Sequence, residues 1–289
     1  MSEILRIEKL RIVLGGQHVL RDASLGVPAG TVHGLVGESG AGKTMIGKAV
    51  LGILPSAARI TGGSIRFETQ DIALLGERAR RSLLGRAIAM IPQDPMSSLN
   101  PTFRIGSQIA DVLRLHLGMS AKAARARALE LLHQVYIREP ERVLRQYPHE
   151  LSGGMRQRVL IAIAFACRPR LIVADEPSTA LDVTVQRQVL RLIKELQAQE
   201  NTAVLLITHD LGVVAKICDT MTVLHGGRVL EDGPVAACFE RPSHPYTRAL
   251  MAVTPRYDRP ADELRPVPDS LSRELMAEDA AWDRDHGAA

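Results

Sequence analysis

Gly37-Glu38-Ser39-Gly40-Ala41-Gly42-Lys43-Thr44 follows a short apolar run at 32–36 and precedes a helical pattern at 45–54 that Pro55 ends. A strand that runs into a glycine-rich turn and then a helix limits the fold more than any other feature of the chain. The glycines let the backbone curl until its N–H groups point inward, and the positive end of the next helix adds to the same field. Such a loop takes phosphate oxygens. Lys43 is placed to reach the β- and γ-phosphates of a nucleotide, and the Thr44 hydroxyl to ligand Mg²⁺. A chance glycine-rich turn lacks the strand before it and the helix after it; both are present here.

The rest of the chain alternates strands with helices. Residues 1–36 read as strands with a turn at Gly15-Gly16. Further strands are expected at 64–68, 88–91, 171–174 and 203–207, and a hairpin at 220–224 and 228–231 around Gly226-Gly227. Helices are expected at 121–135, 153–167 and 185–199, with 105–168 largely helical. Residues 92–101 hold three prolines and read as loop. The fold class is therefore α/β: a phosphate-loop core on a mostly parallel sheet, with an N-terminal antiparallel β-subdomain and an inserted α-helical subdomain. The expected division is a phosphate-loop domain at 1–240, its helical subdomain at about 94–165, and a short C-terminal extension at 241–289. That extension is expected to be a loosely ordered tail with at most a short helix at 270–282.

Composition excludes several classes. A chain of 289 residues with 46% apolar and 24% charged residues buries an ample core and is not disordered. Aromatics are only 3%, against an aromatic surface for carbohydrate or single-stranded nucleic acid. Residues 256–289 hold 5 Arg against 9 Asp or Glu, a net of −4, so the first 255 carry +8 of the overall +4. So mild an excess fits a solvated face better than a surface for an anionic ligand or the cytoplasmic membrane, although it would suit those too. Cys167, Cys218 and Cys238 are odd in number and lack metal-ligand spacing, so they read as reduced thiols. The longest apolar run, 159–167, is too short to cross a bilayer as a helix, and the N-terminus has no signal-peptide pattern.

Two further segments carry chemistry. Leu-Ile-Val-Ala-Asp-Glu-Pro at 171–177 is an apolar strand ending in two carboxylates. Asp175 is placed to hold Mg²⁺, and Glu176 to polarise an attacking water as general base. Elsewhere such a pair often just caps the next helix; after a phosphate loop it points to hydrolysis. Leu-Ser-Gly-Gly-Met-Arg-Gln-Arg at 151–158 opens a helix with Ser152, Gly153 and Gly154, which makes a second phosphate site or a plain N-capped helix start.

Taken together these residues resemble the ATP-binding-cassette ATPase family over roughly 3–240. The resemblance covers the phosphate loop, where Gly37, Glu38, Ser39, Gly40, Ala41, Gly42, Lys43, Thr44 and Met45 are the nucleotide-binding residues it implies. It also covers Gln93 as the glutamine loop that touches the metal and senses the permease, and Ser152-Gly153-Gly154 as the signature. Asp175 and Glu176 form the carboxylate strand, 178–182 the D-loop ending in Asp182, and His209 the switch histidine at the γ-phosphate. The family implies ATP and Mg²⁺ as cofactors, with Thr44, Gln93 and Asp175 on the metal. It implies head-to-tail pairs of such domains, each ATP lying between the phosphate loop of one and the signature of the other, so that binding energy drives a domain movement.

Ser-His-Pro-Tyr-Thr-Arg-Ala-Leu at 243–250 resembles the His-Pro-Tyr motif of the oligopeptide, dipeptide and nickel importer branch. The same residues also read as a Pro-stiffened turn with Tyr246 and Leu250 packed one helical turn apart; nothing gives His244 a chemical role. The branch implies an ATPase powering uptake of peptides or nickel. Its partners are two transmembrane permease subunits, a second related ATPase or a second copy, and indirectly a solute-binding receptor, at the cytoplasmic face of the membrane. No nucleic-acid partner is expected. The other reading is a soluble cassette ATPase, as in the phosphonate carbon–phosphorus lyase assembly. Three departures stand out. Met155 replaces the usual Gln of the signature. Val13, Leu14 and Gly15 stand where an aromatic often stacks on adenine. Residues 239–289 hold no cysteine, so no iron–sulfur cluster is expected. Because no nucleotide motif lies beyond His209, removal of everything after Ala252 is expected to spare ATP binding.

Overall fold

The computed structural model describes residues 2–178, 181–253 and 267–287. The strands are β1 (Glu3–Leu14), β2 (Gln17–Pro28), β3 (Val32–Val36), β4 (Ala58–Phe67), β5 (Gln70–Asp71), β6 (Ile88–Ile91), β7 (Leu171–Asp175), β8 (Ala203–Thr208), β9 (Thr220–His225) and β10 (Arg228–Pro234). The first helices are α1 (Lys43–Leu51), α2 (Glu77–Leu83), α3 (Pro95–Ser98), α4 (Ile105–Leu117), α5 (Ala121–Gln134) and α6 (Pro140–Val143). They are followed by α7 (Gly153–Phe165), α8 (Val183–Glu200), α9 (Leu211–Ile217), α10 (Val235–Glu240), α11 (Pro245–Val253) and α12 (Asp269–His286). The chain divides into a first unit, Met1–Leu75 with Leu205–Ala289, and a second unit, Gly76–Val204.

In the first unit, β1 and β2 turn back on each other at Gly15-Gly16 and pair antiparallel, and β4 pairs along the other edge of β1 to give the order β2-β1-β4-β5. Leu5, Ile7, Leu10, Ile12, Leu20, Val27, Ile65 and Phe67 bury their side chains from these strands. A second set of strands runs β10-β9-β3 with β8 beyond β3. β3 lies parallel to β9, and the β9–β10 hairpin is antiparallel, as the Gly226-Gly227 turn requires. All five residues of β3 are buried, which is why Val32, Leu35 and Val36 show no alternation with exposed positions even though His33 among them is polar. In the second unit β6 and β7 pair in parallel from Ile88↔Leu171 to Ile91↔Ala174. Around them Ile105, Ile109, Leu113, Ala124, Leu131, Val159, Ile161, Val189, Ile193 and Leu196 are buried on helices. The α/β class with an antiparallel N-terminal sheet and a helix-rich insertion is thus as the sequence implies.

Two local expectations need correction. The segment 92–101 is not all loop: Pro95–Ser98 forms one helical turn. The Asp94 side chain accepts from the Met96 N–H at 2.8 Å, and Ser98 Oγ donates to the Asp94 carbonyl at 2.6 Å. Pro95 stands at the start of that turn, where its missing N–H costs nothing. The C-terminal helix spans 18 residues rather than a short piece of 270–282, and its Leu275 is buried in a cluster with Val36, Val214, Met221, Val223, Tyr246 and Met251.

One buried polar relay sets a pH limit on the fold. His33 on β3 is 1% exposed, with Nδ1 2.8 Å from Thr220 Oγ1 and Nε2 2.8 Å from Thr222 Oγ1. Thr222 donates its own proton to the Asp232 carboxylate, so Nε2–H donates to Thr222 and Nδ1 accepts from Thr220. The ring is neutral, and burial pulls its pKa down to about 4. Above pH ~6.5 both folded and unfolded His33 are neutral and nothing is gained or lost. Between about pH 6.5 and 4 only the unfolded chain takes up the proton, so stability falls, by about 3 kcal/mol at the low end. Urea unfolding across that range is expected to show the loss. His33→Gln is expected to flatten that share of the pH dependence; an unchanged slope sinks the assignment.

Candidate functional site

The phosphate-loop residues occupy the turn between β3 and α1, in the first unit. A Cβ on Gly37 lies 2.1 Å from the Leu224 carbonyl oxygen, so no side chain fits there. Gly42 caps α1 with φ 102°, a backbone that side-chain-bearing residues avoid. Gly42 carbonyl accepts from the N–H groups of Met45 at 3.0 Å and Ile46 at 3.1 Å, which starts the helix. Glu38, Ser39 and Gly40 are exposed at the loop's crest, Thr44 is exposed, and Ala41 is buried. The Lys43 side chain is almost fully buried, with Nζ donating to the carbonyls of Gly37 at 2.7 Å and Glu38 at 2.8 Å. A cation bound by the loop's own carbonyls, beside a glycine-lined helix N-terminus, is the donor set a polyphosphate needs. These residues fit an ATP polyphosphate: those expected from 37 to 42 form the turn, and Lys43, Thr44 and Met45 open α1.

The wall behind the loop is the β9–β10 turn. Gly227 N–H donates to the Ala41 carbonyl at 3.0 Å, and Arg21 N–H to the Gly227 carbonyl at 2.9 Å. His209 follows β8 in the same unit and is exposed, while Asp210 caps α9 by accepting from Gly212 N–H at 2.7 Å and Val213 N–H at 3.2 Å.

The second unit carries the remaining residues. Leu171–Asp175 is buried throughout, so β7 delivers Asp175 at its end, 6% exposed. Glu176 comes next with φ 44°. A left-handed, side-chain-bearing residue costs about 1–3 kcal/mol, and such strain gathers at functional sites. Gln93 Nε2 donates to Glu176 Oε2 at 3.1 Å, so the two are brought together although 83 residues apart in the chain. Ser152 caps α7, accepting from Met155 N–H at 3.3 Å, and both Ser152 and Gly153 are exposed. Met155 uses its backbone here, so the loss of the usual Gln leaves the cap intact. Asp182 caps α8, accepting from Thr184 N–H at 3.1 Å and Val185 N–H at 2.9 Å. Thr179 and Ala180 of the same loop lie outside the described residues.

Sequence reasoning missed what surrounds the phosphate loop. Val13 is 1% exposed and offers no surface, and Leu14 is half-buried. Across the hairpin from Val13 stands His18, whose ring meets Trp282 of α12 edge-on at 5.0 Å; Trp282 in turn stacks on His286 at 3.9 Å. Arg21 holds the same helix: Nε and Nη2 donate to Asp283 at 2.7 and 2.6 Å, and Nη1 to the Gly226 carbonyl at 2.6 Å. The Arg21 guanidinium keeps the Asp283 carboxyl below its usual range. Only the single Trp and a sparse helical spacing of Leu271 and Leu275 hinted at this in the sequence.

The His-Pro-Tyr motif starts α11. The Glu231 carboxylate accepts from Ser243 N–H at 2.8 Å and His244 N–H at 3.2 Å, and His244 Nδ1 accepts from Tyr246 N–H at 3.1 Å. Pro245 occupies the first helical position. Burial holds the His244 pKa down, consistent with a ring that accepts at Nδ1. His244 is thus a helix cap, and Tyr246 and Leu250 pack into the cluster around Val36.

Two family models match: "ABC transporter" over 20–179 and "Oligopeptide/dipeptide transporter, C-terminal region" over 230–279. The chain is 43% identical over 269 residues to the dipeptide transport ATP-binding protein DppD of Escherichia coli, covering 92% of this chain and 82% of that one. It is 45% identical over 269 residues to the oligopeptide transport ATP-binding protein OppD of Salmonella typhimurium, covering 92% of this chain and 80% of that one. Among solved structures, the dimeric MJ0796, a bacterial ABC transporter cassette, superposes with a TM-score of 0.70 at 25% identity, covering 80% of this chain and 98% of that chain.

Proposed function

Because the chain belongs to the ATP-binding-cassette ATPases, in the oligopeptide/dipeptide transporter branch, and hydrolyses ATP as such a subunit, we propose that it drives the import of di- or oligopeptides through a membrane permease. The observation that carries this is likeness along nearly the whole chain to subunits named for dipeptide and oligopeptide transport, His-Pro-Tyr region included. Nickel has no such support, and the non-transport alternative is not favoured.

Each residue has a part. Bound ATP supplies the phosphoanhydride whose cleavage powers the cycle. Lys43 leaves the carbonyls of Gly37 and Glu38 for the β- and γ-phosphates, while the amides of 38–45 and the α1 N-terminus take the remaining oxygens. Following the family resemblance, Thr44, Asp175 and Gln93 would hold Mg²⁺, which would offset the negative charge of the phosphates. Glu176 accepts the proton of the attacking water, with Gln93 fixing its carboxylate. His209 holds the γ-phosphate. Ser152, Gly153 and Gly154 present their N–H groups, and Asp182 its loop, to the nucleotide of a paired ATPase subunit. That pair, a second copy or a related chain, works on two permease subunits fed by a solute-binding receptor. None of the described helices is long and apolar enough to cross a membrane; attachment to the permease places the chain at the cytoplasmic face.

The test is a tagged pull-down from detergent-solubilised membranes with the bound proteins identified. Two multi-span proteins and an ATPase of this family are the expected set, with a receptor whose peptide binding is then measured. A purely soluble set of partners overturns the import reading. In the purified chain Lys43→Ala is expected to weaken ATP binding at least tenfold, the cost of removing a charge-assisted contact; wild-type affinity removes Lys43 from the site.

A further inference from the structure

Charge is not spread evenly along the chain. Residues 76–127 hold nine Lys or Arg against three Asp or Glu, a net of +6, while all other residues sum to −2. Three neighbouring pieces of the second unit carry most of these cations: α2, the end of α4 and the start of α5. α2 buries none of its residues. A Cβ on Gly85, just past α2, would lie 2.3 Å from His116 Nε2, so the end of α4 packs on that turn. Gly118 N–H then donates to the Arg114 carbonyl at 3.0 Å, and Ser120 Oγ accepts from Ala123 N–H at 3.3 Å, which ties the first turn of α5 to the same end. Arg81 and Arg114 pair with Glu77 and Asp111 on their own helices. Arg78, Arg86, Lys122 and Arg125 are exposed, and among the described residues none of these four forms an ion pair. Lys122 stands in the first turn of α5, where a cation opposes the helix dipole and no acidic residue offsets it. The fold gains nothing from that charge. Leu115 and Leu117, flanked by Arg114 and Lys122, are 79% and 40% exposed.

We propose that this basic surface docks the second unit directly on the anionic lipid headgroups of a bilayer. Charge complementarity selects the occupant. Long, unpaired Arg and Lys side chains reach a negative surface without needing a fixed partner geometry, and polybasic segments bind anionic leaflets in that way. Exposed leucines among them suit the apolar boundary just below the headgroups. A protein partner calls for a packed apolar centre inside a polar rim, whereas α2 presents cations and buries nothing. The proposal rests on the reading that the chain works against a membrane, and it adds a contact that needs no permease. The overall charge of +4 conceals it, because the remainder of the chain is net negative.

The test is flotation of the purified full chain with protein-free vesicles at physiological salt. Vesicles of phosphatidylcholine with phosphatidylglycerol are expected to carry the chain upward, vesicles of phosphatidylcholine alone to leave it behind, and high salt to release it. The combined variant Arg78→Gln, Arg86→Gln, Lys122→Gln, Arg125→Gln is expected to lose about fivefold in vesicle affinity for each cation removed, at least a hundredfold in all. A control removes four exposed cations of the first unit, Arg66→Gln, Lys216→Gln, Arg241→Gln and Arg284→Gln. It has the same net charge and is expected to lose less than fivefold. Thermal melts of both variants establish that each is folded. Wild-type flotation of the first variant overturns the proposal. So does an equal loss in the two variants, which makes the attraction one of net charge only, and so does a wild-type chain that ignores anionic vesicles. In that last case, loss of the multi-span proteins from the pull-down of the first variant assigns the surface to a protein partner instead. A wild-type pull-down without multi-span proteins, with the flotation pattern intact, is a different result: it removes the import reading and keeps the lipid contact.

Discussion

Glu176→Gln is expected to keep nucleotide bound while phosphate release falls about a hundred- to ten-thousandfold, the usual worth of a general base. The substitution removes the only group in the β7 terminus assigned to take the water's proton. It leaves β7 buried and the loop at 37–45 untouched. Gln also tolerates the backbone at φ 44° no worse than Glu, so the fold is spared. On the proposed pairing, blocked hydrolysis removes the route back to an open state, and ATP is expected to shift the variant to a dimer by size-exclusion chromatography. Hydrolysis at the wild-type rate takes the base role away from Glu176. A monomer saturated with ATP counts against the paired arrangement.

Removal of the chain after Ala252 is expected to lower stability by about 4–5 kcal/mol while the folded protein still binds ATP. The first term is Leu275, 3% exposed, whose burial is worth about 2 kcal/mol. The second is Arg21, whose side chain is 12% exposed and loses both bonds to Asp283, a charged pair worth about 2–3 kcal/mol. Arg228 also loses Glu278 at 2.8 Å, an exposed pair of little weight. In a chain of this size the melting temperature is expected to fall by roughly 10 °C or more. Asp283→Asn separates the terms, since it removes the charge and keeps the helix; about half the loss is expected. An unchanged melting temperature in the truncated chain means that α12 contributes nothing to the fold. The expectation from sequence that nucleotide binding survives is retained, but it now comes with a stability cost that the sequence did not reveal.

What the residues made legible lies close together in the chain. The turn at 37–44 was legible because a strand, its glycines, Lys43 and a helix start are consecutive, and local backbone geometry fixes what they do. β3, β6 and β7 were legible as apolar runs because strands buried on both faces have no alternation to hide them. Ser152 was recognisable as a helix start for the same local reason, whereas the caps Asp182 and Asp210 provide appear only in the structure. The short turn at 95–98 escaped because three prolines within ten residues outweighed the caps Asp94 and Ser98 provide. A short helix at 270–282 was legible, but the full length and docking of α12 escaped because its apolar stripe is thin: only Leu275 is deeply buried, and ion pairs to Arg21 and Arg228 do much of the docking.

By itself the sequence determined the chemistry of the phosphate loop, the carboxylates that follow β7, and the transporter branch. Only the tertiary structure decided that Gln93 lies on Glu176, that His33 sits neutral between two threonines, that α12 closes on β2 and the β9–β10 turn, and that Tyr246 packs edge-on against His225. The physical reason is range. A cap, a tight turn or a buried strand depends on neighbours within a few residues, whose identities can be read in line. An ion pair such as Arg21–Asp283 joins positions 262 residues apart, and its existence depends on which surfaces the packed core leaves facing each other.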